Sequence, residues 1–380
     1  MLKLLTLIGA RPQIIKASAL SRAIRLNFSG QISEVIVHTG QHYDENMSAV
    51  FFDELAIPAP AYNLRVGSGK HGEQTAKMIV EVESILELEQ PDYLILYGDT
   101  NSTLAGAIAA SKQHVPIVHI EAGLRSYNKK MPEEVNRILT DHVSTYLFPP
   151  TQTGVENLQK EGFTLNNQPP YTMDNPGIFN VGDITYDNSL YFCDVAASRT
   201  DITERLQLQE SPYALVTIHR NANTDDAMRL NAIFDTLLTI ATTYSTKLII
   251  PLHPRTAKQM IALLKENLYK ALFSSSKISF LPPVSFLEMI TLEQQASLII
   301  TDSGGVQKEA YYYQKPCIVL RSETEWVEIV ENGAAFLCDA NPGLILDAYN
   351  SITKSNAIQF RKIYGDGKTA ESILNILSGK

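Results

Sequence analysis

Tyr93-Leu94-Ile95-Leu96-Tyr97 and Pro116-Ile117-Val118-His119-Ile120 are two short apolar runs, and the helical pattern Asn101–Lys112 lies between them. Each run is continuous rather than alternating, as a strand buried on both faces requires. Strand, helix and strand in this order imply a parallel pair joined by a right-handed crossover. The reading extends outward from there. Leu4–Ile8 and Val35–His38 precede this unit, and Tyr146–Phe148 and Ile178–Val181 come after it. The second half repeats the pattern with Tyr213–Ile218, Lys247–Leu252, Ile278–Leu281, Leu298–Thr301, Cys317–Leu320 and Ala335–Leu337. Glu73–Leu88 and Met228–Thr243 are further helical patterns between such runs.

The expected fold is therefore α/β, with two Rossmann-like, doubly wound domains and a cleft between them. A chain of 380 residues also exceeds what one hydrophobic core usually supports. The Pro/Asn/Gly-rich stretch Asn166–Gly177 reads as a surface loop near the junction. We expect a first domain over residues 1–182 and a second over 183–365, with a hinge around 183–212. The last segment, 366–380, carries the helical pattern Thr369–Leu377, expected to pack back on the first domain.

Composition narrows the function classes. With 32 basic and 41 acidic side chains the net charge is −9, which argues against nucleic acid or an anionic membrane as partner. A nucleotide diphosphate stays compatible, because local donors outweigh net charge at a site. Cys193, Cys317 and Cys338 form no CxxC pair and no metal-ligand spacing, which suits a reducing cytosol. Lys3 before Leu4–Ala10 imitates a signal peptide. Arg11-Pro12 ends that run early and Lys16 places a charge where a signal peptide stays uncharged, so it reads as a buried first strand. No segment approaches the ~18 apolar residues of a membrane span.

Ligands of open parallel sheets bind beyond the carboxyl ends of the strands, so the polar residues directly after each run matter most. Gly9-Ala10-Arg11-Pro12-Gln13 comes after the first run, with Lys16 in the next turn. Alone it is an ordinary turn with surface cations. No GxGxxG succeeds that strand, which removes the dinucleotide fingerprint. Gly67-Ser68-Gly69-Lys70-His71 lacks the first glycine and the Ser/Thr of a phosphate loop. Eight histidines show no HExxH, and no Cys/His cluster suggests zinc. Asp99 comes after the third run, where capping of the next helix competes with catalysis. Glu121 ends the fourth, inside His119-Ile120-Glu121-Ala122-Gly123-Leu124-Arg125. Pro132-Glu133-Glu134-Val135-Asn136-Arg137 then opens a helix, proline standing at a natural first position. Acids at a helix start are common; three carboxylates grouped at neighbouring strand ends of one domain suit proton transfer.

In the second half, His219-Arg220 comes after one run and His253-Pro254-Arg255 after the next. Thr301-Asp302-Ser303-Gly304-Gly305-Val306-Gln307-Lys308-Glu309 places glycines at a strand-to-helix turn, where backbone N–H groups and the helix dipole favour a diphosphate. Glu309, two turns into that helix, is placed to accept from ribose hydroxyls.

In order and spacing these motifs resemble the non-hydrolysing UDP-N-acetylglucosamine 2-epimerases, which have the two-Rossmann GT-B architecture. The match runs through Gly9–Pro12, Thr39-Gly40-Gln41-His42, Gly98–Asn101, His119–Arg125, Pro132–Arg137, His219-Arg220 and Asp302–Gly305. The resemblance implies acid/base roles for Asp99, Glu121 and Glu133. It implies that Arg11, Lys16, Arg137 and His219 hold and activate the diphosphate. Ser303, Gly304, Gly305 and Glu309 would then take phosphate and ribose, and Phe286 would lie near the uracil. It further implies a UDP-sugar as partner, a homodimer, and no cofactor or metal, in agreement with the missing motifs.

Departures bear on the substrate. Asn221-Ala222-Asn223 succeeds His219-Arg220 where the family usually has a glutamate. Tyr43-Asp44-Glu45-Asn46 differs from the run of members with an allosteric UDP-sugar site, so that regulation is not expected. Gln13, Trp326 and Arg125-Ser126-Tyr127-Asn128 resemble the branch acting on UDP-2,3-diacetamido-2,3-dideoxyglucuronate, and both substrates stay open. A GT-B glycosyltransferase, a hydrolysing relative and a non-catalytic UDP-sugar sensor are the rival functions, since fold does not fix chemistry.

Overall fold

The computed structural model describes residues 1–41, 57–208, 211–354 and 358–379. The chain forms two compact units, Met1–Asn188 with Lys362–Lys380, and Ser189–Arg361. The first holds seven parallel strands: β1 (Leu2–Ile8), β2 (Ile32–His38), β3 (Tyr62–Asn63), β4 (Tyr93–Tyr97), β5 (Ile117–Ile120), β6 (Tyr146–Phe148) and β7 (Gly177–Ile178). Their spatial order is β3-β2-β1-β4-β5-β6-β7. The strand β3 is an addition to the six read from sequence; two residues are too few to show a pattern.

The second unit holds six parallel strands: β8 (Tyr213–Thr217), β9 (Lys247–Pro251), β10 (Ile278–Leu281), β11 (Leu298–Thr301), β12 (Cys317–Val319) and β13 (Ala335–Leu337). Their order is β10-β9-β8-β11-β12-β13. Both sheets reverse direction of growth once, between β1 and β4 and between β8 and β11. Such switch points are where doubly wound sheets open a crevice for ligands.

Burial of whole strands drives this architecture. Leu4, Leu5, Leu7 and Ile8 of β1 are all buried, each worth about 1.5–3 kcal/mol. Helix Asn101–Lys112 covers β1 and β4, and Gly106 sets its distance. A Cβ there would lie 2.6 Å from Leu7 Cδ2 and 2.7 Å from Leu96 Cδ2. That helix is capped by Thr100, whose hydroxyl accepts from the Thr103 N–H at 3.3 Å. The capping role considered for Asp99 thus belongs to its neighbour, and the Asp99 side chain is left for other work.

The stretch read as a hinge, 183–212, holds helices Ile184–Arg199 and Ile202–Arg205. The first turn of the longer one is fastened to the first unit. Asn188 Oδ1 accepts from Ser18 Oγ (2.9 Å) and Arg22 (3.0 Å), and Asp187 accepts from the Thr369 and Ala370 N–H groups at 3.1 and 2.8 Å. Helix Thr369–Leu377 buries Ile373, Leu374 and Leu377 and packs on helix Arg11–Asn27.

His38 ends β2 and is buried, its Nδ1 accepting from the Gly40 N–H at 3.0 Å. Burial pushes its imidazole down from 6.5 to about 4. The folded value lies below the unfolded one, so the stabilisation is present above the unfolded value and is lost as pH falls toward the folded one. A shift of this size corresponds to roughly 3 kcal/mol. Urea midpoints of the parent should fall as pH drops from about 7 to about 4, and those of His38→Asn should fall less.

Candidate active site

Register brings the ends of β4 and β5 level, with Tyr97 opposite Ile120. Gly98-Asp99 and Glu121 therefore leave the same edge of the first sheet. Gly98 turns at φ +65°, and a Cβ there would lie 3.3 Å from Glu121 Oε2 and 3.5 Å from Lys16 Nζ. Glu121 itself takes φ +72°. A non-glycine residue in the left-handed region costs about 1–3 kcal/mol and clusters at functional sites.

Each of these carboxylates meets a cation. Lys16 Nζ pairs with Glu121, their side chains 14% and 7% exposed. Arg137 pairs with Asp99 at 2.5 Å. Asn136 Nδ2 donates to the Asp99 carbonyl at 2.9 Å and so fixes the turn from the neighbouring helix. Glu133 is exposed at the second position of helix Pro132–His142, one turn before Arg137 on the same face. Its neighbour Glu134 is buried and accepts from the Ser126 and Tyr127 N–H groups at 2.8 and 3.0 Å, so it holds a loop. Arg11 is exposed at the first position of its helix.

The second sheet presents its own edge residues. Asp302, after β11, is buried and accepts from the His219 N–H at 3.0 Å, the Arg220 N–H at 3.1 Å and Asn223 Nδ2 at 3.1 Å. Burial holds the His219 imidazole below its usual range, with His253 and Arg220 adding to the effect and Asp302 opposing it. Ser303 caps helix Gly304–Tyr312, its Oγ accepting from the Val306 N–H at 3.4 Å. Gly304 and Gly305 open that helix, where N–H groups have no intrahelical acceptor. A Cβ on Gly305 would lie 3.9 Å from Ser303 Oγ and 4.0 Å from Glu309 Oε2. Ser303, Gly305 and the Glu309 carboxylate thus adjoin. Phe286 stands edge-on to Phe192, with centroids 5.2 Å apart. His253 caps helix Pro254–Leu263, and Arg255 is paired with Asp225 at 2.8 Å.

Two branch-marking residues turn out to be scaffold. Gln13 Oε1 accepts from the Gly9 and Ala10 N–H groups at 2.9 and 3.2 Å, and Nε2 donates to the Tyr97 carbonyl and Thr103 Oγ1, both at 2.9 Å. Trp326 is 4% exposed, donates to the Gly304 carbonyl at 2.9 Å, and has Lys308 Nζ 4.1 Å from its ring centroid. The run Tyr43–Asn46 and His42 lie outside the described residues.

Sequence reasoning assigned no role to the buried charges of the two units. Asp141 and Arg125, 16 residues apart, pair at 2.7 Å, and Arg125 also meets Glu161. Glu293 is buried with neither oxygen hydrogen-bonded; burial, with Glu309 nearby, pushes its carboxyl well above the usual range. Among the described residues no group of three or more His, Cys, Asp or Glu could hold a metal, and no helix is long and apolar enough to cross a membrane.

Comparison with known proteins matches this arrangement to one family. The sequence model described as UDP-N-acetylglucosamine 2-epimerase covers residues 25–378. A UDP-N-acetylglucosamine 2-epimerase homolog of Methanococcus maripaludis is 44% identical over 99% of both chains. The UDP-2,3-diacetamido-2,3-dideoxy-D-glucuronate 2-epimerase of Pseudomonas aeruginosa is also 44% identical over 99% of both. A crystal structure of the Methanocaldococcus jannaschii UDP-GlcNAc 2-epimerase, in complex with UDP-GlcNAc and UDP, superposes with a TM-score of 0.83 at 41% identity over the whole of both chains. With two doubly wound parallel sheets and a full-length match, the chain belongs to the UDP-N-acetylglucosamine 2-epimerase family.

Proposed function

We propose that the protein inverts C2 of a UDP-2-acetamido sugar, with UDP-N-acetylglucosamine as substrate. The observation that carries this reading is the pairing of Glu121 with Lys16 and of Asp99 with Arg137 at one sheet edge. Carboxylates and cations alternating in this way can move a proton and receive a departing phosphate at the same place. The C2 proton is not adjacent to a carbonyl, so its direct removal is very unfavourable. Elimination avoids the difficulty. A carboxylate takes the C2 proton, the C1–O bond breaks, and its electron pair leaves with UDP to give a 2-acetamidoglycal. Proton delivery to C2 from the opposite face, with attack of a UDP phosphate oxygen on C1, restores the UDP-sugar as its epimer.

Asp99, Glu121 and Glu133 serve as the acid/base groups in this scheme. Arg11, Lys16, Arg137 and His219 stabilise the charge on expelled UDP. Ser303, Gly304 and Gly305 bind the diphosphate, Glu309 the ribose, and Phe286 lies near the uracil. The reaction is redox-neutral overall and uses no cofactor. The same reading makes the protein a cytoplasmic homodimer that supplies a sugar for polysaccharide synthesis.

A second substrate, UDP-2,3-diacetamido-2,3-dideoxyglucuronate, is favoured by the 44% identical Pseudomonas relative. Gln13 and Trp326 do not decide between the two by contact, since both face the scaffold. Incubation of each UDP-sugar in D₂O, with NMR of the products, is the test. The expected result is an epimer pair deuterated at C2 for one of them. Free sugar, or transfer without C2 exchange, would instead support a hydrolase or a glycosyltransferase, and binding without turnover a sensor.

A further inference from the structure

His119, fully buried on β5, has acceptors on both ring nitrogens: Asp141 Oδ1 lies 2.7 Å from Nδ1, and the Gly98 carbonyl lies 2.7 Å from Nε2. A neutral imidazole has one N–H to give, so a second proton must be present on the ring or on Asp141. The surroundings of Asp141 assign it. Oδ2 accepts from Arg125 at 2.7 Å and from the Gly123 N–H at 3.1 Å. Burial alone would raise this carboxyl, but the Arg125 guanidinium beside it favours the ionised form. Glu161, which also meets His142 at 3.6 Å, accompanies Arg125 on its outer side.

We infer that His119 is a buried imidazolium and a positioning residue for the epimerase reaction, fastening the three carboxylate-bearing segments to Asp141. Its Nε2 holds the carbonyl of Gly98, the residue before Asp99. Asp141 holds the N–H of Gly123, two residues beyond Glu121. Asp141 also stands on the helix that carries Glu133 and Arg137. One ion cluster beneath the sheet edge therefore sets the relative placement of Asp99, Glu121 and Glu133 through the segments that carry them. Misplacement of about 1 Å at reacting groups can cost on the order of 100-fold in rate.

This inference rests on the epimerase reading, and the experiment separates the two. In protein labelled with ¹⁵N-histidine, one ring should show two protected N–H signals at neutral pH, and both should vanish in His119→Gln. His119→Gln and Asp141→Asn should each lower kcat by about 10- to 100-fold with KM near the parent value. A spectrum in which the His119 ring carries a single N–H overturns the inference even if the variants do not fold. So does a kcat for folded His119→Gln within about twofold of the parent. A parent enzyme that fails to exchange C2 hydrogen overturns the epimerase reading, while the spectrum still decides the state of His119.

Discussion

Glu121→Gln is expected to lower turnover of the UDP-sugar by about 10²–10⁴-fold, the usual contribution of a positioned acid or base. The substitution keeps size and shape, so the left-handed backbone at this position and its N–H bond to the Phe148 carbonyl at 3.1 Å are retained. What changes is charge. Glutamine neither takes a proton from C2 nor balances Lys16, whose ammonium is mostly buried beside it. UDP should still bind, its affinity moved only through Lys16, because the proposed diphosphate-and-ribose grip of Ser303, Gly304 and Glu309 on the other unit is untouched. Steady-state kinetics with the UDP-sugar, UDP titration and a thermal melt on the same preparation check the three parts. A large fall in kcat with UDP binding retained is the expected combination; unchanged kcat would remove Glu121 from the proton chemistry.

Asp302→Ala is expected to destabilise the second unit by about 3–5 kcal/mol, in the range for breaking a buried hydrogen-bonded charge. Asp302 has 0% exposure and receives the N–H groups of His219 and Arg220 and the Asn223 amide. Alanine leaves these donors inside the protein with no acceptor. Because Asp302 joins the ends of β11 and β8 at the switch point, its loss also releases the turn that leads into Ser303-Gly304-Gly305. Urea unfolding should show a midpoint well below the parent's, and UDP binding should weaken in the variant that remains folded. A midpoint within the range of surface substitutions, about ±0.5 kcal/mol, would count against Asp302 as the buried acceptor of these three donors.

The strands were legible because burial on both faces writes a continuous apolar run into each one. The strand-end candidates have a related origin: a doubly wound sheet binds beyond its strand ends, so position singled out Asp99, Glu121, His219 and Ser303, while their proposed roles came from the family resemblance. Partnerships across the sheet were not legible. Nothing near Lys16 in the chain points to Glu121, 105 residues away, and nothing near His119 points to Asp141. Gln13 and Trp326 show the opposite limit. Sequence comparison marks them as distinctive, but their hydrogen bonds run into the backbone of neighbouring turns, and only coordinates separate scaffold from ligand contact. The helix over Ile184–Arg199 escaped notice because its first turns bury polar residues, Asp187 and Asn188 among them, against partners in distant segments.

The return of residues 362–380 to the first unit has a consequence for the order of synthesis. Domains tend to fold as they emerge from the ribosome, N-terminal parts first. Here the apolar face of helix Arg11–Asn27 waits for Ile373 and its neighbours, and Asp187 waits for the Thr369 and Ala370 amides. All of Ser189–Arg361, a contiguous unit, is translated in that interval. The first unit therefore stays without its last helix until the whole of the second has been translated. Released chains truncated near residue 361 should be protease-resistant in the second unit and remain cleavable in the first.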